Sequence, residues 1–130
     1  MSGGWIMEFK KVVGKGPERI SVDMPDPILL PGTTHTAVAP ITVSPSGLSC
    51  NAELFLGPDE ATKVATSGKK PFTSTGAAQS VRLPVTMPTA GGAAYHVYLD
   101  IYVNDYRLLA YQATEDVIIV TGEVDPITWE

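Results

Sequence analysis

The residues with the most chemical capability are His35 and His96, and neither has a cysteine or an acid at metal-ligand spacing beside it. His96 falls on the outward face of a strand with Asp100 two steps further along, an imidazole and a carboxylate that could form a general base. The plainer reading, a solvated strand histidine, is preferred. A nucleophile would have to come from Ser46 or Ser49, which lie in or beside a turn with no Gly-x-Ser-x-Gly elbow. No phosphate-cradling glycine motif occurs, and Gly91-Gly92 stands between strands instead of before a helix. Asn104, Asp105, Glu115 and Asp116 flank the last strand pair, and oxygen-rich loops of that kind can hold Ca²⁺. Turn residues facing water explain them as well. No catalytic residue, metal or cofactor is expected.

Charge and aromatic placement say more. Nine basic against fourteen acidic residues give a net charge of −5, a field that repels nucleic acid. Residues 1–20 carry four bases (Lys10, Lys11, Lys15, Arg19) against two acids (Glu8, Glu18), a net of +2. Residues 108–130 carry Glu115, Asp116, Glu123, Asp125 and Glu130 with no base, a net of −5. Opposed ends of this kind can guide head-to-tail contact between identical subunits, where complementary potential fixes register. Each end also bears a tryptophan, Trp5 and Trp129, and a terminal aromatic is a common interface anchor. The alternative is that each end folds back on its own domain. Tyr98 and Tyr102 face outward on one strand, with Tyr106 and Tyr111 nearby, a surface suited to a sugar or a protein partner unless the chain's own first strand covers it. The candidate interface residues are therefore Trp5, Phe9, Lys10, Lys11, Tyr98, Tyr102 and Trp129.

These groups must be carried by strands. Period-two alternation recurs along the chain and helical spacing almost nowhere. Trp5–Val13 is a first strand; Ser21–Pro31, with Pro25, Pro27 and Pro31, reads as an extended crossing because proline lacks a ladder N–H. His35–Val43 alternates around Pro40, which places it at an edge or a bulge. Leu48–Leu56 points Leu48, Cys50, Ala52, Leu54 and Leu56 one way, and Ser49, Asn51, Glu53 and Phe55 the other. Pro58–Lys63 has room for one helical turn, and Lys63–Thr66 for a short edge strand. Val81–Met87 precedes a Pro/Gly corner. The longest strand, Ala94–Val103, buries Tyr95, Val97, Leu99, Ile101 and Val103. Asn104-Asp105 makes a two-residue hairpin turn to Tyr106–Ala113, since both residues tolerate positive φ. Val117–Val120 closes the series.

The length of 130 residues, 44% of them hydrophobic, suits one domain with a single core. Twelve Gly, eleven Pro and only 18% charged residues disfavour a helical bundle and fit a turn-rich all-β chain. Cys50 is alone and excludes an intramolecular disulfide; at an inward position it reads as a small buried hydrophobe before a reactive thiol. No apolar run reaches signal-peptide or membrane-span length, so the chain reads as cytoplasmic when made, without membrane insertion. Short strands at intervals of about 8–12 residues are the pattern of a two-sheet sandwich.

Within Val81–Val103, the run LPVTMPTAGGAAYHVYLDIYV resembles the penultimate hairpin of immunoglobulin-like modules of bacterial and phage proteins, the CARDB-type domains of adhesion proteins among them. Tyr95 matches the place of their corner tyrosine, which tethers a turn through its hydroxyl. The resemblance covers roughly residues 36–120; the first strand and the proline-rich crossing depart from it. It implies a binding or structural module and carries over no catalytic residue.

The expected fold is an all-β, immunoglobulin-like antiparallel β-sandwich of seven to eight strands in one domain, 1–130. Residues 1–31 form an N-terminal strand and proline-rich arm, and 121–130 a C-terminal tail. Both ends are expected to lie outside the stable sandwich. The expected function is non-enzymatic structural assembly, by self-association or in a capsid or tail lattice. The most concrete form is a bacteriophage virion component assembled in the host cytoplasm. The alternative is a carbohydrate-binding or adhesion module at a cell surface.

Overall fold

The computed structural model describes residues 5–14, 19–24, 28–89, 92–114, 116–120, 122 and 129. Among them the chain forms strands and no helix: β1 (Trp5–Val13), β2 (Arg19–Met24), β3 (Ile28–Leu29), β4 (Thr34–Thr42), β5 (Ser49–Gly57), β6 (Ala65–Thr66), β7 (Lys70–Thr73), β8 (Ala78–Thr86), β9 (Ala93–Val103), β10 (Tyr106–Ala113) and β11 (Val117–Ile119). The excess over seven or eight comes largely from β3, β6 and β11, of two or three residues each.

Alternation explains the long strands. On β5, Cys50, Ala52, Leu54 and Leu56 are buried on one face; on β9, Val97, Leu99 and Ile101 are. The two pair antiparallel from Cys50↔Val103 to Gly57↔His96. Asn104 and Asp105 take φ of 47° and 67°, the doubly positive turn that matches strand twist, and return the chain as β10 along β9. β11 pairs with β9 at residues 93–95, beyond the stretch β10 occupies, and runs parallel to β3.

The sheet continues from β10 through β1, β2 and β4 to β8, while β6 and β7 pair with β5. Its two ends meet, because β8 comes against β5, β6 and β7. The enclosed space is the core. Leu54, Leu83, Leu99 and Ile101, each at most 2% exposed, share it with Ala37, Ala39 and Ile41 of β4. Tyr95 packs at its margin, opposite Val117. Pro40 is tolerated because β2 meets β4 only at Asp23↔Val38, leaving β8 as the neighbour that pairs with it beyond that point.

Four expectations need correction. The proline-rich crossing is preceded by a real strand, β2, held between β1 and β4; a proline removes only its own ladder donor, and residues 19–24 contain none. The N-terminal strand is not an arm, because β1 is hydrogen-bonded on both edges, to β10 and to β2. The Pro58–Lys63 segment makes no helical turn; Asp59 and Thr62 form an isolated bridge, and the carbonyl of Thr62 sits where a side chain on Gly57 would be. The stretch Ser67-Gly68-Lys69-Lys70-Pro71 reads as a turn from its glycine and proline, but its last two residues open β7, which pairs with residues 49–52 of β5.

Candidate functional site

The richest cluster of ionisable groups lies on the face of β5 and β9 turned away from the core. Register places Asn51 opposite Tyr102, Glu53 opposite Asp100 and Phe55 opposite Tyr98. This face is covered too. The backbone of residues 64–67 is fastened to β5 by Val64 N–H donating to Leu56 and Ser67 N–H to Leu54, while the Ser67 hydroxyl accepts from Leu54 N–H at 2.9 Å. The segment thereby brings three polar side chains over the face. Lys63 donates to Glu53 Oε1 at 2.9 Å, and the Thr66 hydroxyl donates to Oε2 at 2.5 Å. The Lys63 ammonium lies 4.7 Å from the Phe55 ring centroid, and Lys69 lies 4.2 Å from that of Tyr102.

Glu53 and Asp100 are 4% and 5% exposed. Burial pushes the Asp100 carboxyl up, and Glu53 adds to that; Arg107 at 3.9 Å, the Tyr102 hydroxyl donating at 3.3 Å and Lys63 oppose it. Burial works against the charge of Lys63, yet the hydrogen bond and charge of Glu53 outweigh it and hold the ammonium above the ordinary lysine value. The phenols of Tyr98 and Tyr102 are raised, first by burial, then by the acids Asp59, Glu60 and Asp116 for Tyr98 and by Asp100 for Tyr102. Two carboxylates in direct cross-strand register are the raw material of acid/base chemistry. Here both are engaged by the chain's own lysine, arginine and hydroxyls, so the cluster works first as a clasp for residues 63–69.

His96 is drawn elsewhere. Its Nδ1 lies 2.7 Å from Asp116 Oδ1, in an exposed pair, and its ring meets Tyr98 edge-on. Asp100 is out of its reach because four residues of strand span about 13 Å. The four loop residues considered for Ca²⁺ do not converge: Asn104 and Asp105 sit at one end of β10, Asp116 beyond the other, and Glu115 lies outside the described residues. Among the described residues, no three acids, histidines or cysteines come together as a metal site. Cys50 is buried, and that burial pushes its thiol up.

The candidate interface residues separate into distinct environments. Phe9 is 0% exposed and belongs to the core, so it presents nothing to a partner. Tyr98 is buried with its ring stacked on Phe55 at 5.1 Å, and Tyr102 is half-buried under Lys69. The cover over this face comes from residues 63–69, not from the first strand. Trp5 has its backbone opposite Met24, and its side chain lies outside the described residues. Of the remaining three, Lys10 and Trp129 are exposed and Lys11 is half-buried. Lys10 and Lys11 line an open groove between β1 and β10 with Val12, Gln112, Ala113 and Thr114, about 530 Å³ in volume. Trp129 is 94% exposed.

No protein-family model matches the sequence, and a comparison with curated proteins finds no match either. The reading of function therefore rests on the chain's own chemistry.

The clasp of Glu53, Lys63, Thr66, Asp100 and Arg107 was missed as a unit in the sequence. A signal existed. Glu53 in LSCNAELFLG and Asp100 in HVYLDIYV are single charges in the middle of apolar strands. Such charges are tolerated in a covered sheet only with partners.

Proposed function

We propose that the chain is an immunoglobulin-like antiparallel β-sandwich with a structural, non-enzymatic role, working by assembly. Its most concrete form is a bacteriophage virion component, capsid-decorating or tail, assembled in the host cytoplasm. The observation that carries the reading is Trp129, 94% exposed in a tail whose charges are all acidic. A large aromatic left in water is costly for a lone molecule and is a typical anchor once a partner covers it. Lys10, exposed on β1 beside the groove shared with β10, adds a charge of opposite sign.

The carbohydrate-binding alternative has less support. A sugar platform needs an accessible ring face, whereas Tyr98 stacks on Phe55 and Tyr102 lies beneath Lys69.

Sedimentation velocity of the whole chain over a wide concentration range, beside Trp129→Ala, tests the reading. Concentration-dependent assembly that the substitution weakens, without change in circular dichroism, is expected. A wild-type chain that stays monomeric at every concentration, and that binds glycans instead, would overturn it.

A further inference from the structure

We propose that the groove between the end of β4 and the start of β10 binds a neutral sugar, seated on the ring of Tyr106. The inference goes beyond the assembly reading and does not depend on it. The groove is about 660 Å³ in volume, within the range of small-ligand sites. The end of β4 supplies Thr42, Val43 and Ser44, and β10 supplies Tyr106, Leu108 and Leu109.

Strand geometry builds this site. Leu108 is the extra residue of a bulge in β10, between Arg107 and Leu109, and the neighbouring β1 bulges at Val12. Bulges interrupt the ladder and re-aim side chains, which opens a sheet locally. Gly14 follows with φ of 100°, and a side chain there would collide with the Leu108 carbonyl, so β1 ends flush against this wall. The β4 side is fixed as well. Gly76 N–H donates to the Val43 carbonyl at 3.1 Å, and the Ser44 hydroxyl donates to the Gly76 carbonyl at 3.4 Å. Tyr106 leaves the tight Asn104-Asp105 turn in register with Val103.

The lining selects the ligand. Among the described residues it holds no charged side chain, so it offers nothing to a phosphate, a carboxylate or an ammonium group. It does offer the hydroxyls of Thr42, Ser44 and Tyr106. Tyr106 is 69% exposed, the accessible ring that Tyr98 and Tyr102, under their covers, fail to supply. A pyranose has the matching halves: a face of C–H groups to cover the ring, and hydroxyls around its edge to meet those of the protein. A purely apolar ligand would leave those protein hydroxyls unmet.

The test uses the whole chain on an array of neutral and acidic glycans, the strongest neutral hit then being titrated by calorimetry. A neutral glycan should bind, with an affinity indifferent to salt up to about 1 M because no charge faces it. Tyr106→Ala should weaken binding about tenfold or more, Tyr106→Phe should keep most of it by retaining the ring, and Thr42→Val should weaken it through the lost hydroxyl. Both positions are exposed, so these variants leave the core untouched, and circular dichroism checks that each is folded. Binding confined to acidic glycans, binding that survives Tyr106→Ala, or no glycan binding at all overturns the site. So does a Tyr106→Ala chain whose only change is weaker self-association, which would make the groove a protein contact. Sedimentation velocity on the same samples keeps the two readings apart. A monomer that binds through Tyr106 upholds the sugar site and sinks assembly, and an assembling chain that binds no glycan does the reverse.

Discussion

Glu53 and Asp100 stand directly opposite each other on β5 and β9, and both carboxylates are closed to solvent. Like charges in that register destabilise a sheet. The conflict is relieved by cations placed on either side, Lys63 on Glu53 and Arg107 near Asp100. The arrangement makes the outer face of the sheet a pH-dependent fastening for the segment that crosses it.

Alkaline pH should release that fastening. Lys63 holds its proton above its ordinary 10.5 in the fold, burial being outweighed by Glu53. Its stabilising pairing is therefore present below that value and lost as pH rises through the folded one. Tyr98 and Tyr102 are raised above 10.0, chiefly by burial, so the unfolded chain ionises first and gains as pH passes that point. All three act in one direction. The melting temperature should fall above about pH 10, and Lys63→Met should blunt the fall while costing about 1–3 kcal/mol at neutral pH by leaving Glu53 short of a partner. Melts by circular dichroism that stay flat through this range would contradict the clasp.

Asp100 predicts the opposite sense of substitution. Burial raises its carboxyl above 3.8, so the folded chain binds the proton more tightly than the unfolded one. Its contribution favours folding at acid pH and is lost as pH climbs through the raised value. Asp100→Asn removes that charge and should be at least as stable as the native chain at neutral pH, with a flatter profile through the carboxyl range. A loss above about 2 kcal/mol in urea unfolding would show that Arg107 and Tyr102 outweigh burial.

Leu99 is 0% exposed in the cluster with Leu54, Leu83 and Ile101. Leu99→Ala should cost about 2–5 kcal/mol, the range for a truncated core leucine. Chemical denaturation showing less than about 1 kcal/mol would mean that the β9 face is wrongly placed.

Deleting residues 1–13 should abolish cooperative unfolding. The deletion removes β1 from between β10 and β2 and takes the fully buried Phe9 with it. This reverses the expectation that the N-terminal strand is dispensable. A truncated chain with a sharp thermal transition and native circular dichroism would restore the arm.

The strands, their inward faces and the Asn104-Asp105 turn were legible because each leaves a local trace, alternation or tolerance of positive φ. What covers the outer face was not. Phe55 and Tyr98 sit at outward positions of their strands and are buried all the same, because residues 63–69 lie across them. Alternation reports which residues share a face, and says nothing of whether a later loop roofs it. β2 was hidden by neighbouring prolines, and the β7 pairing by the Lys69-Lys70 charges that resemble an ordinary turn. Phe9 was misplaced because a strand apolar on both faces does not declare that it lies inside a sheet. The Glu53–Asp100 pair needed the β5–β9 register, which no local pattern encodes.

The position of β1 also sets an order of events during synthesis. Its partners are β2, made soon after it, and β10, which begins only at Tyr106, so that Phe9 waits for Ala113. A ribosome adding about 5–20 residues per second leaves that strand with one edge unpaired for several seconds. Contacts so distant in sequence must meet the entropy of closing a long loop before they return anything, which makes sheets of this kind slow to form. Through that interval the first strand is the element most open to pairing with a neighbouring nascent chain.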